Sequence, residues 1–139
     1  MGKEDLNNQP VLDYLKKQFE VLKNDYRTPD GHVQSCTLIA CDVARLLIEE
    51  EKIPSIYKVL GKLKDGSKYN RETLIPRLYE GRVEWGGHIV TVDEENVVYD
   101  PMLGKSMSID NYKQQAFLNN DIEMVENISS ENVPEFISR

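Results

Sequence analysis

At 139 residues the chain has enough length for one hydrophobic core and too little for two. With 40% hydrophobic and 29% charged residues and no apolar run near the ~18 residues of a membrane span, it reads as a globular domain that stays in water. The 17 Lys plus Arg against 24 Asp plus Glu give a net charge of −7 with the basic residues scattered, so neither nucleic acid nor a membrane is expected as a partner.

The opening MGKEDLNNQP is polar and has Leu6 where a myristoylation site needs Ser or Thr. No classical signal peptide is expected, which places the protein in the cytoplasm or makes it an effector delivered by a non-classical route. In VLDYLKKQFEVLKNDY, the residues Val11, Leu12, Leu15, Phe19, Leu22 and Tyr26 recur at spacings of three and four, predicting an amphipathic helix over 10–26. Pro29, Asp30 and Gly31 in RTPDGHVQ have the composition of a turn. It leads into SCTLIACDVARLLIEEEK, the strongest helix signal in the chain. Ser35 is its expected N-cap, and Leu38, Ile39, Val43, Ala44, Leu46 and Leu47 form a face broad enough for a buried central helix.

After Pro54 the pattern changes to β-branched and aromatic residues in SIYKVLGKL, a strand ending at the hairpin-type turn KDGS. Pro76 interrupts NRETLIPRLYEGRVE, which reads as a short helix and loop. HIVTVD and VVYDPML are two strands joined by EEN, SIDNYKQQAF is a short helix capped by Ser108, and IEMVENI is a last strand. SSENVPEFISR reads as a loosely held polar tail. The expected architecture is α+β in one domain, 1–139, with a core over about 9–127, a tail over 128–139 and the central helix packed on a mostly antiparallel sheet.

A thiol is nucleophilic as thiolate, and a helix N-terminus lowers its pKa. With Ser35 as cap, Cys36 falls in the first turn, where its unused backbone N–H would also face a developing oxyanion. Cys41 lies five residues on, rotated by about 140° around the helix, and reads as a small core residue. Gln34 is a candidate second oxyanion donor, against the plainer reading of a solvated loop amide, and His32 reads as a surface or cleft-rim residue.

A cysteine nucleophile needs a base, and the base needs a carboxylate or amide to orient it. In WGGHIVTVDEENVVYDP those roles fall to His88 and Asp100, with Trp85 as a cleft wall and Gly86 and Gly87 as bare backbone beside the substrate. Each has a plain alternative: a sheet histidine, a turn aspartate, a core tryptophan, a strand entry. The pair shares a sheet face only if the connection between the strands makes an odd step. Either an odd loop of Glu94, Glu95 and Asn96, with Asn96 suited to a left-handed conformation, or a bulge is therefore expected.

The order of SCTLIACDVARLL, WGGHIVTV and VVYDP resembles the papain-like and transglutaminase-like superfamily. Within it, the chain looks most like the bacterial papain-fold toxin and protein-glutamine deamidase domains over residues 30 to 118. The resemblance implies Cys36 as nucleophile, His88 as general base and acid, and Asp100 as the group that orients it. It also implies acyl transfer through a thioester without metal or cofactor, on a protein or peptide substrate, with an immunity or regulatory protein as partner. Thr37 departs from the aromatic residue that usually follows the nucleophile, and Asp100 stands where papain proteases have asparagine. Two rival readings are a module that kept the fold and lost the chemistry, and a metal site of Cys36, Cys41 and a histidine, whose thiols would face different sides of one helix.

Overall fold

The computed structural model describes residues 9–23, 29–119 and 121–138, with 9 and 29–36 described by backbone alone. Helix α1, Gln9–Leu22, buries Val11 and Leu15 from its apolar face. The expected continuation to Tyr26 lies outside the described residues. Helix α2 runs Pro29–Glu49 and so begins six residues before Ser35, which corrects both the turn and the N-cap read from the sequence. The physical reason is that proline suits the first helical position, where its fixed φ helps and its missing N–H costs nothing. The helix ends with Glu51 in the left-handed region (φ 64°), the Glu51 N–H donating to the Ile48 carbonyl and the Lys52 N–H to that of Leu47. Ile39, Val43, Ala44 and Leu47 are buried, whereas Leu38 is 66% exposed, so the buried face is narrower than its sequence suggests.

Five strands follow: β1 (Ser55–Gly61), β2 (His88–Val92), β3 (Val97–Asp100), β4 (Lys105–Ser108) and β5 (Ile122–Ile128). They form one antiparallel sheet in the order β4-β3-β2-β1-β5. The short edge strand β4 is absent from the sequence reading. Between β1 and β2 lie the turn at Gly66 and a 3-10 turn, Arg77–Tyr79, placed directly after Pro76. Helix α3, Ile109–Gln115, has the expected cap: the Ser108 side chain accepts from the Asn111 N–H at 3.2 Å. The C-terminal stretch is not a loose tail. Helix α4, Val133–Ile137, buries Val133 and Ile137 against Ala44 and Ile56, and Arg45 donates to the Ile137 carbonyl.

Side chains alternate across the sheet and divide the core. One face carries Ile56, Ile89, Thr91 and Tyr99 toward α1, α2 and α4, and the buried Thr91 hydroxyl donates to the Ala40 carbonyl of α2 at 2.7 Å. The other face carries Val59, Val90, Val92 and Val98 toward Trp85 and, from α3 and its end, Tyr112 and Phe117. Glycine is required at two close approaches. A Cβ at Gly61 would lie 1.9 Å from the Glu72 carbonyl oxygen, and Gly104, at φ 69°, presses against the Phe19 side chain of α1. Among the described residues no helix is long and apolar enough to cross a membrane.

Candidate active site

The site starts from a three-residue loop. Asp93 and Val97 close it: the Asp93 N–H donates to the Val97 carbonyl at 3.0 Å, leaving Glu94, Glu95 and Asn96 between them. Asn96 takes φ 62°, the left-handed conformation that asparagine tolerates well. The odd length sets the register Thr91↔Tyr99 and Val92↔Val98, which pairs even with even and odd with odd. His88 and Asp100 therefore share a face, as a sequence-based parity argument requires.

They are diagonal neighbours, near enough for long side chains to meet. The His88 Nε2 and the Asp100 Oδ2 lie 2.9 Å apart, with the two residues 5% and 1% exposed. Three groups donate to this carboxylate. Besides His88, the Tyr112 hydroxyl reaches Oδ2 at 2.5 Å and the Met102 N–H reaches Oδ1 at 2.9 Å. Burial by itself would raise the Asp100 pKa, but the adjacent imidazole, its hydrogen bond and those of Tyr112 and Met102 outweigh burial and hold the carboxyl below the usual range. An ionised carboxylate only accepts, so Nε2 carries a proton and Nδ1 is the basic nitrogen of the neutral ring.

The strands part where this pair sits. Extending the register would set Ile89 opposite Pro101, which has no N–H to give, and the chain instead turns through Pro101 to Gly104 with the Leu103 N–H bonded to the Asp100 carbonyl. The gap is a pocket of about 10 Å³, the space needed for one water molecule. His88, Asp100, Met102 and Trp85 line it from one side, Ile39 and Ala40 of α2 from the other. The pocket thus joins the two faces of the sheet around its end.

Trp85 is buried and stacks on the imidazole, with ring centroids 5.0 Å apart and planes at 26°. It is both core residue and pocket wall. Gly86 is exposed, a Cβ there would meet nothing within 4 Å, and at Gly87 a Cβ would make only ordinary contacts. Neither has a positive φ, so neither folding nor packing demands glycine there.

Position 36 lies within α2, three and four residues before Ile39 and Ala40, which places it on the helix face that carries these pocket residues. With the helix beginning at Pro29, Cys36 is its eighth residue and not in its first turn, so its N–H belongs to the helix ladder and the half oxyanion hole expected from an N-terminal position is lost. The side chains of Cys36, Gln34, Ser35 and His32 lie outside the described ones. Cys41 is partly buried, and burial raises its thiol pKa more than the nearby Arg45 lowers it. Among the described residues no three His, Cys, Asp or Glu side chains converge as a metal site would need.

Tyr112 is the member of this arrangement that sequence reasoning misses. Ile109, Tyr112 and Ala116 do repeat at helical spacing after the Ser108 cap, which marks an inward face, but nothing in that pattern names the carboxylate the tyrosine meets. Comparison with protein-family models, with curated proteins and with solved structures finds no match.

Proposed function

We propose that the protein is a cysteine-dependent amide hydrolase that works through Cys36, His88 and Asp100, of the protein-glutamine deamidase or cysteine protease type. The observation that supports this reading most is the buried His88–Asp100 pair, tautomer-fixed and opening onto a pocket shared with α2. In the proposed reaction, His88 takes the Cys36 proton at Nδ1 and the thiolate sulfur attacks the amide carbon, forming a C–S bond and a tetrahedral oxyanion. Collapse breaks the C–N bond, and the imidazolium protonates the departing amine or ammonia. Water, deprotonated by the same ring, then attacks the thioester, giving a carboxylic acid and returning the thiol. Asp100 holds the imidazolium through the charged stages. The papain-like fold type, the protein or peptide substrate and an immunity or regulatory partner belong to the same proposal.

A second reading, a papain-like binding or regulatory module without chemistry, gains from the helix start at Pro29, which takes the helix N-terminus away from position 36. Thiol labelling separates the two. The hydrolase reading expects Cys36 to react with iodoacetamide well below pH 8, His88→Ala to slow it, and Cys41 to stay inert in the folded protein. Equal and slow labelling of both thiols would overturn it. Mass spectrometry of candidate substrates then distinguishes a one-unit deamidation gain from cleavage.

A further inference from the structure

The Asp100 carboxylate concentrates two donors on one oxygen: Oδ2 takes both the His88 Nε2 proton and the Tyr112 hydroxyl. Tyr112 is fully buried, its ring is set edge-on to Phe117 at 6.2 Å, and its helix is anchored by the Ser108 cap, so the hydroxyl is delivered by rigid packing. A short O–H···O⁻ bond to the same oxygen withdraws charge from the contact with the imidazole. The other titratable side chain on the pocket wall among the described residues, Tyr99, turns its hydroxyl to Asp93 instead.

We propose that Tyr112 is the positioning residue of the pair: its hydroxyl fixes the Asp100 carboxylate toward His88 and shares negative charge on Oδ2 that would otherwise fall on the imidazole, while the Met102 N–H holds Oδ1. Asp100 thereby orients the ring without holding the imidazolium so firmly that it fails to release a proton to the leaving group. The catalytic meaning of this rests on the hydrolase reading above. The physical effect on His88 does not.

The chain supplies its own reporter. Its single tryptophan, Trp85, stacks on His88, and an imidazolium against an indole quenches its fluorescence, so emission against pH follows His88 protonation. The pH-dependent step must vanish in His88→Ala, which excludes a contribution from His32. Tyr112→Phe keeps the ring and removes only the hydroxyl. It is expected to raise the His88 midpoint by about half a pH unit or more, since Oδ2 then spends its charge on the imidazole without a competing donor. Tyr99→Phe, an equal loss of a buried hydroxyl from another carboxylate, leaves the midpoint in place.

In an Asp100→Asn background the Tyr112→Phe shift should disappear, because the effect runs through the carboxylate. An unmoved midpoint in Tyr112→Phe, or a shift that survives in Asp100→Asn, overturns the proposal. If the midpoint moves as expected while both thiols label slowly and equally, the positioning role stands and the hydrolase reading falls. If Cys36 labels fast and depends on His88 but the midpoint does not move, the reverse holds.

Discussion

Two buried aspartates stand at opposite ends of the β2–β3 hairpin, and each accepts from a tyrosine hydroxyl, yet they do different work. Asp93 takes the Tyr99 hydroxyl at 2.9 Å and spends its other oxygen on the loop, accepting from the Glu95 and Val97 N–H groups at 2.8 and 3.1 Å. Asp100 takes Tyr112 and the Met102 N–H in the same manner, but its remaining partner is an imidazole at the edge of a pocket. A buried carboxylate satisfied by a tyrosine and backbone N–H groups is therefore not in itself a functional signal here. Asp93 also has the Lys52 ammonium 4.0 Å from Oδ2, so what sets Asp100 apart is that its partner is an imidazole, the side chain that changes charge near neutral pH, at the edge of a pocket reaching α2.

Conservative substitution at the two aspartates tests this contrast with the largest expected effect. Asp100→Asn keeps the shape but removes the charge that fixes the His88 tautomer. Under the proposed hydrolase reading it should lower turnover by roughly 10²–10⁴-fold, the range for loss of general acid–base function. It should slow Cys36 alkylation near pH 7 by up to roughly a few tens-fold, as the thiol falls back to the thiolate fraction of a free cysteine. Asp93→Asn retains an acceptor for the loop and should leave the rate per folded molecule unchanged. Rates normalised to the folded fraction check both, and a similar loss in the two variants would erase the distinction.

Removing the Asp93 side chain outright tests stability instead of rate. Asp93→Ala strands two loop N–H groups and the Tyr99 hydroxyl, for an expected cost of about 2–3 kcal/mol, read as a lower urea midpoint with an unchanged slope. Burial, with the Asp93 charge and hydrogen bond after it, raises the Tyr99 pKa, so the protein side of this contact is the protonated phenol. A raised folded pKa contributes stability below the unfolded value near ~10 and loses it as the pH rises further. Alkaline pH should thus destabilise the Asp93 end of the hairpin, as it does the Tyr14–Asp42 contact between α1 and α2, where burial and Asp42 likewise raise the phenol pKa.

Acid should act at the other end, in addition to Glu94 in the loop, where burial is outweighed by the Ile53 N–H and the Lys52 charge, which hold the carboxyl low. The Asp100 pKa is depressed in the folded state, since its hydrogen-bond partners and the His88 charge outweigh the cost of burial. A depressed folded pKa gives stability that is fully present above the unfolded value near ~4 and is lost as the pH falls through the folded one. The acid limb of a stability–pH profile should flatten in Asp100→Asn. An unchanged limb would mean that other carboxylates carry acid unfolding.

How much of this was legible follows from which forces act locally. The odd loop could be read because Asn96 has the chemistry for a left-handed residue and because parity is a property of chain length alone. The Ser108 cap was readable for the same reason, being a bond between residues three apart. The start of α2 was not, because Pro29-Asp30-Gly31 suits a turn and a helix N-terminus equally well. The last helix was hidden by its polar context: Val133 and Ile137 are only two apolar residues, and their burial against Ala44 and Ile56 is decided by tertiary contact. The Tyr112 bond to Asp100 joins separate elements, so no local pattern carries it.

The smallest expected stability effect bears most directly on how a substrate would reach the pair. His88 and Asp100 are buried and the pocket beside them holds about one water molecule, so a substrate amide needs an approach along surface that offers no side chains. Gly86 is such a place, exposed and two residues from the imidazole, and its backbone conformation admits any L-residue. Because an added Cβ meets nothing within 4 Å, Gly86→Ala should change stability by less than about 0.5 kcal/mol, and Gly-to-Ala relief of unfolded-state entropy makes a small gain the expected sign. Iodoacetamide, being small, should label Cys36 in this variant at the unaltered rate. A macromolecular substrate passing over Gly86 would meet the new methyl group, raising KM while leaving labelling and stability as they were. Turnover unchanged by Gly86→Ala would send the approach elsewhere, to the α2 side of the pocket at Ile39 and Ala40, and the contrast between the two ends of the hairpin would then rest on the imidazole alone.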